Sequence, residues 1–225
     1  MTKTYFVTGT DTEIGKTFAT HYILKALADK GHLVAGLKPI ASDSQFEVMG
    51  SYSGLVNSDA KQLMKASSLS LKYSQVNPLV FADPIAPHIA AKQANVDLNC
   101  ASLSNSIIVP DAELVLIEGA GGWLTPLNES ETYADWVAQN NYEVILVVGM
   151  KLGCLNHAQL TAESIRAKGL SIKGWVANQL TSDMQVYREN LDWLENHFSE
   201  PLLAEIEFQA DSENPKIQQL DWLLN

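Results

Sequence analysis

One segment restricts the fold more than any other. Gly9-Thr10-Asp11-Thr12-Glu13-Ile14-Gly15-Lys16-Thr17 comes directly after the apolar run 4–8 and directly before an amphipathic stretch. A glycine-lysine-threonine turn between strand and helix wraps backbone amides around a phosphate and points the positive end of the helix dipole at it. Gly15 lets the chain pass close to the anion, and Lys16 is a compact cation suited to β- and γ-phosphate oxygens. The Thr17 hydroxyl suits Mg²⁺, which takes hard oxygen donors. The usual spacing has glycine where this chain has Thr10; Gly9, one residue earlier, is expected to relieve the turn out of the strand. The bland alternative is a chance glycine turn ahead of a helix.

Around this loop, short β-branched runs alternate with longer amphipathic stretches. Segments 4–8, 33–37, 113–117, 144–148, 172–177 and 202–206 read as strands, several apolar at consecutive positions as doubly buried strands are. Segments 16–30, 58–66, 87–94, 133–140, 156–168 and 184–198 carry helical spacing, with Gly31 and Gly169 placed as helix stops. The alternation predicts an α/β fold: a doubly wound, mainly parallel sheet with helices on both faces and ligands beyond the carboxyl ends of its strands. Segments 42–53 and 77–87, rich in Ser, Gly, Asn and Pro, read as loops that shape a site. A chain of 225 residues, 46% apolar, suits a single domain over 1–225.

Charge narrows the partners. Fifteen Lys and Arg against 26 Asp and Glu give −11, and the ten acids and two bases of 181–225 supply −8 of it. Nucleic acid and anionic membrane both need a cationic face, so neither is expected as a partner. The first residues lack the basic and apolar regions of a secretory signal, and no apolar run approaches the ~20 residues of a spanning helix. Cys100 and Cys154 have neither C-x-x-C nor histidine-paired spacing and read as reduced thiols of a cytoplasmic protein.

Further candidates stand at strand ends. Glu118 closes the buried run 114–117 ahead of Gly119-Ala120-Gly121-Gly122, so a cation such as Mg²⁺ is expected beside it and the glycines admit an anion or small ligand. Its alternative is a helix cap or a surface pair with lysine. Lys38 ends the second strand on the same sheet edge as the phosphate loop; together the two lysines make a cationic pocket, unless Lys38 is simply solvated. Asp59 falls in the first turn of a helical stretch, where an acid often only compensates the dipole. The Asn178 amide, followed by Gln179, can match an adenine edge or can be an ordinary buried turn residue. His88 and His157 lack a carboxylate or nucleophile nearby in sequence and read as structural, and Trp123, Trp136 and Trp175 read as core or interface aromatics.

Taken together, the stretch from Thr8 to Thr17, Gly36-Leu37-Lys38-Pro39-Ile40-Ala41-Ser42, Asn57-Ser58-Asp59-Ala60, Glu118-Gly119-Ala120-Gly121-Gly122-Trp123, Lys151-Leu152-Gly153-Cys154-Leu155-Asn156-His157-Ala158 and Gly174-Trp175-Val176-Ala177-Asn178 resemble the dethiobiotin synthetase family, in order and over nearly the whole chain. The resemblance implies a fold of the P-loop NTPase type and an ATP-dependent ring closure. In that family 7,8-diaminononanoate takes up CO2 as a carbamate, which is phosphorylated by MgATP and closed to the cyclic urea.

Carried over residue by residue, the resemblance makes Lys38 the active-site lysine beside Lys16. It makes Thr17, Asp59 and Glu118 the metal ligands, and gives ATP contacts to Glu13, Ile14, Gly15, Phe18, Gly119, Ala120, Gly121, Asn178 and Gln179. Thr12, Ser42 and Gly122 would line the diamine site. The family is a homodimer in which the loop from Gly153 to Asn156 holds the neighbour's substrate carboxylate. After the strand 202–206 the family has a Pro-aromatic pair, whereas this chain has Glu207-Phe208-Gln209, leaving backbone contacts to the base there; Tyr187 is the nearest counterpart of the family's tail-binding tyrosine.

Three rivals have distinct signatures. A P-loop switch ATPase of the partition or septum-site kind would carry a second lysine early in the loop, where this chain has Thr10-Asp11-Thr12, and in the septum-site branch a C-terminal amphipathic membrane helix, to which the acidic stretch 209–225 is unsuited. An amidoligase relative would need room for a glutaminase domain. A non-catalytic paralogue is the third.

Overall fold

The structure is a computed structural model that describes residues 2–211 and 220–224; the rest of the acidic terminal stretch lies outside the described residues. The chain opens with β1 (Lys3–Gly9), α1 (Lys16–Asp29), β2 (Val34–Leu37), β3 (Ile40–Ala41), β4 (Gln45–Met49), β5 (Tyr52–Val56), α2 (Ser58–Ala66) and α3 (Tyr73–Val76). It continues with β6 (Leu79–Val80), α4 (Pro87–Gln93), α5 (Cys100–Ser106), β7 (Leu114–Glu118), α6 (Tyr133–Gln139) and β8 (Glu143–Met150). The last elements described are α7 (Cys154–Ala167), β9 (Ile172–Gln179), α8 (Tyr187–His197), β10 (Leu202–Ile206) and α9 (Asp221–Leu224).

Among the described residues six strands form one sheet in the order β10-β9-β8-β1-β7-β2. Every neighbouring pair in it is parallel. Side chains of a strand alternate between faces, so each central strand feeds two cores. Phe6, Val115, Ile117, Val144, Leu146 and Val148 enter the core beneath α5, α6, α7 and α8. Tyr5, Val7, Leu114, Leu116, Ile145 and Val147 enter the one beneath α1, α2 and α9. This is the double winding expected from consecutive apolar positions, and no helix of the described residues is long and apolar enough to cross a membrane. Trp123, Trp136 and Trp175 are core residues, and Cys100 and Cys154 are free and buried.

The register sets the site. Val7 pairs with Glu118 and Leu37 with Ile117, so β1, β7 and β2 end together and deliver the phosphate loop, Glu118 and Lys38 to one edge. The chain reverses sides here, leaving β1 by one direction for β2 and returning to the other for β8, the topology at which open α/β sheets bind ligands.

The two segments expected to be loops hold structure. Residues 42–53 run into the antiparallel hairpin of β4 and β5, turned at Gly50 with φ of 61°, and β6 pairs with β3. The hairpin escaped notice because its larger apolar residues, Phe46 and Val48, face solvent rather than a core. Helices α3 and α5 were likewise unforeseen; α5 is begun by Asn99, whose side chain accepts the Ser102 N–H while the Ser102 hydroxyl accepts from the Asn99 N–H. Helix α7 starts at Cys154, two residues ahead of expectation, and α8 at Tyr187, three residues behind it.

Candidate active site

The phosphate loop leaves β1 and rests on the end of β8. The Thr10 N–H donates to Val147 O at 3.0 Å, and the Thr10 hydroxyl accepts from Gly149 N–H at 3.4 Å. Thr10 therefore replaces a glycine without strain, and the left-handed positions fall instead at Glu13 (φ 58°) and Gly15 (φ 78°). Gly9 has a different purpose from the one expected: its φ is not positive, and a Cβ there would stand 2.7 Å from Ile14 Cδ1. Gly15 ends the loop and begins α1. A Cβ on it would stand 2.2 Å from Asn178 Nδ2, which donates to Ile14 O at 2.8 Å. Asp11 finishes the loop: its carboxylate accepts Thr12 N–H at 2.8 Å and Lys151 Nζ at 2.9 Å, and its carbonyl receives Lys16 Nζ at 3.3 Å. The Lys151 hydrogen bond and the Thr12 amide hold the Asp11 carboxyl below its ordinary value.

Around the loop lies a cleft of about 390 Å³. It is lined by Thr12, Glu13, Gly15, Lys16, Thr17, Lys38, Ser42, Asp59, Glu118, Ala120 and Gly121 among the candidates, and by Ala41 and Asn57 beside them. At its floor the Lys38 ammonium donates to Glu118 Oε1 at 2.6 Å and to Gly119 O at 3.2 Å, and stands 3.4 Å from Asp59 Oδ2. The Thr17 hydroxyl donates to the same Glu118 Oε1 at 2.7 Å. Burial works against the charge of Lys38, but the Glu118 and Asp59 carboxylates outweigh it and hold the ammonium above its ordinary value. Lys16 is 7% exposed and lacks so close a carboxylate; burial first, then the Lys38 charge, bring it down to about 8.

Glu118 is fully buried, and its Oε2 has no hydrogen-bond partner among the described protein atoms. An orphaned carboxylate oxygen at the end of an interior strand is costly unless something else completes it. The described residues contain no cluster of three His, Cys, Asp or Glu that could hold a metal. Magnesium does not require one: it keeps waters and phosphate oxygens and takes one or two carboxylates. Thr17 Oγ1, Asp59 and the free oxygen of Glu118 fit that donor set.

The other candidates sit apart from the cleft. Ile14 is in the core under α1, Phe18 stacks on Tyr22 with centroids 6.1 Å apart, and Gly119 and Gly122 lie beside the cleft without lining it. Asn178 is buried beneath Gly15 with its amide nitrogen committed to Ile14. Gln179 Oε1 accepts from Phe208 N–H at 3.3 Å, and Gln179, Glu207 and Phe208 line a recess of about 370 Å³. Gln209 lines a neighbouring recess with Glu207 and Phe208. Gly153 (φ 93°) and Asn156 stand at the solvent-facing start of α7, outside the cleft of their own chain.

Asn57, given no role of its own from the sequence, organises the rim. Asn57 caps α2, its Oδ1 accepting the N–H groups of Asp59 and Ala60 at 3.0 and 3.2 Å, while its Nδ2 donates to Ser42 O at 2.9 Å and Asp43 O at 3.4 Å. One side chain thus ties Ser42 to Asp59. The Asn-Ser-Asp spelling of a helix cap was the available signal.

Comparison with known proteins gives these residues a context. The family model described as an AAA domain matches residues 3–216. The chain is 47% identical over 218 residues to an ATP-dependent dethiobiotin synthetase of Escherichia coli, spanning 96% of this chain and 94% of that one. It is 44% identical over 229 residues to the enzyme of that name from Vibrio cholerae, covering 100% and 97%. Among solved structures, the signal recognition particle receptor FtsY of Elizabethkingia anophelis, in complex with GDP, superposes with a TM-score of 0.51 at 14% identity, over 100% of this chain and 63% of that one. FtsY of Thermotoga maritima gives 0.51 at 14%, over 100% and 67%. These two likenesses bear on the fold alone and agree with a P-loop NTPase-like sheet. At the level of identity shared with the synthetases, the chain belongs to the ATP-dependent dethiobiotin synthetase family of ligases.

Proposed function

We propose that this chain carries out the MgATP-dependent carboxylation and ring closure of 7,8-diaminononanoate with CO2, giving dethiobiotin, ADP and phosphate. One observation carries the reading: Lys16 and Lys38 flank a single cleft with Thr17, Asp59 and the half-satisfied carboxylate of Glu118. In the first step an amine of the substrate attacks CO2 and releases a proton, forming an N-carbamate. A carbamate oxygen then attacks the γ-phosphorus of ATP, and ADP leaves. The second amine attacks the carbonyl carbon of the carbamic-phosphoric anhydride; the C–O bond to phosphate breaks, phosphate leaves, and the amine gives up a proton to solvent as the ring closes.

Carbamate and triphosphate are both anions and repel each other. Lys16 would lie along the β- and γ-phosphate oxygens, and Lys38 between carbamate and phosphoryl group, so that approach and charge development are stabilised together. Thr17, Asp59 and Glu118 would hold Mg²⁺, which when bound neutralises further phosphate charge. Thr12, Ser42 and Gly122 would orient the diamine. Glu13, Ile14, Gly15, Phe18, Gly119, Ala120 and Gly121 would contact ATP, with Asn178, Gln179 and the segment Glu207, Phe208 and Gln209 around the base. A homodimer would complete the site, the start of α7 with Gly153 and Asn156 meeting the substrate's carboxylate in the neighbouring subunit. The setting would be cytoplasmic, in one domain.

The test is direct. With MgATP, bicarbonate and 7,8-diaminononanoate, phosphate release should depend on the diamine and dethiobiotin should accumulate in equal amount. ATP turnover indifferent to the diamine would replace this reading with a nucleotide switch. No turnover would leave a non-catalytic relative.

A further inference from the structure

Lys38 and Asp59 meet across the cleft, yet neither is held only by the other. A buried chain of hydrogen bonds joins them from behind. The Asn57 N–H donates to Tyr73 Oη at 2.7 Å. Tyr73 Oη donates to Asn77 Oδ1 at 2.7 Å, and Asn77 Nδ2 donates to Lys38 O at 2.7 Å. The Lys38 N–H donates to Val76 O at 2.8 Å, so both backbone groups of Lys38 are fastened to the end of α3. At the other end, Asn57 caps the turn of α2 that carries Asp59. The 3.4 Å approach of Lys38 Nζ to Asp59 Oδ2 then closes the path into a ring: Lys38, Asn77, Tyr73, Asn57, Asp59 and Lys38 again.

Tyr73, Asn57 and Asn77 are all buried, which shields the three links between them and Lys38 from water, and Asn77 Nδ2 is steadied by a second acceptor, Leu79 O at 3.3 Å. Burial holds the Tyr73 phenol up at about 12, which keeps its proton in place as the donor to Asn77. Tyr73 also packs on Tyr52 of the hairpin with ring centroids 4.8 Å apart, which fixes the plane of the phenol independently of its hydroxyl. The three links join residues 16, 4 and 39 positions apart and tie the α2 start to the Lys38 strand end, while the far end of α2 is fastened to β2 separately, Ser67 Oγ accepting the Gly36 N–H at 2.9 Å.

We propose that Tyr73 is a positioning residue for the reaction, setting through Asn77 and Asn57 the separation between the Lys38 ammonium and the Asp59 carboxylate. It touches no reacting atom. The inference rests on the reading that Lys38 and Asp59 act in the proposed ring closure.

Tyr73→Phe keeps the ring against Tyr52 and deletes only the hydroxyl. The expected result is a kcat lower by about ten- to a hundredfold, as misplacement on the ångström scale produces, with the KM for ATP within about twofold of wild type. Asn77→Ala breaks the ring at another link and should act in the same direction, and it stands in should Tyr73→Phe fold poorly. The double variant should be no slower than the slower single one, because the ring is already open. A purely structural role would lower the melting temperature and leave kcat, measured well below it, unchanged. That result, or effects on kcat that multiply in the double variant, would overturn the proposal. A wild-type chain without diamine-dependent turnover would overturn the functional reading together with it, whereas normal wild-type turnover with a normal Tyr73→Phe variant removes this inference alone.

Discussion

Gly15→Ala tests the phosphate loop at the atom where its fit is tightest. The backbone there is left-handed at φ 78°, a conformation that costs an alanine roughly 1–2 kcal/mol. The new methyl would stand 2.2 Å from Asn178 Nδ2, so the amide must swing away and abandon the Ile14 carbonyl it now pairs at 2.8 Å. An orphaned buried carbonyl adds about 1–3 kcal/mol, for a total of about 2–5 kcal/mol. Urea denaturation at pH 7 reads that loss, and steady-state kinetics should show the KM for ATP rising as the amides around the phosphate site shift. Asn178→Ala in the same chain removes the obstacle. The double variant should therefore be less destabilised than the sum of the single ones, by about 1 kcal/mol or more. Strict additivity, or a Gly15→Ala protein within 1 kcal/mol of wild type, would show that Asn178 does not press on the loop as described.

Three further outcomes follow from the same geometry. Lys38→Ala should abolish diamine-dependent phosphate release, by roughly a hundredfold or more given its place among the charges of the cleft, and wild-type turnover in that variant would remove Lys38 from its role. Lys151→Met frees the Asp11 carboxylate that steadies Thr12, and nucleotide titration should show MgATP binding weakened about two- to fivefold, the range of an exposed ion pair, with Lys151→Arg restoring it. The Asp135 carboxyl is pulled down to about 2 by Lys168 first and Thr132 next, so its stabilisation is complete above pH 4 and is lost as pH falls towards 2. Asp135→Asn should cost about 1–2 kcal/mol at pH 7, and the gap from wild type should close in unfolding curves taken between pH 4 and 2; a gap that ignores pH would be the contrary result.

How far the sequence carried the reading depends on the kind of residue. The central strands were legible because Leu114 to Ile117 and Val144 to Val148 are apolar at every position, β-branched in part and too short for a buried helix, as strands covered on both faces are. Lys16 and Thr17 were legible because their chemistry depends on neighbours adjacent in sequence. Asp59 was not, since an acid in a first helical turn looks the same whether it steadies a dipole or faces a ligand, and only resemblance to a family raised it. The partners of Lys38 were invisible for a different reason: Asn77 lies 39 residues away and Glu118 lies 80, in segments whose composition reads as loop and strand. The hairpin was missed because the usual sign of a half-buried strand, apolar residues turned inward, is reversed at Phe46 and Val48. Gly9 was noticed for the wrong cause, close packing of Ile14 having the same spelling as a permissive turn.

Asn57 fastens the root of the hairpin on both sides, taking Ser42 and Asp43 on the incoming strand and the first turn of α2 on the outgoing one. Ser44 and Asp43 are fastened again to the backbone of Ala82 and Asp83. Beyond that knot Val56 and Tyr52 pack inward, and Phe46, Val48 and the Gly50 tip face outward. Residues can be inserted at or trimmed from the Gly50 tip, or a dye attached there, with Ser42 and Asp59 left where they stand, which makes this ribbon the natural place to report on the cleft from outside it.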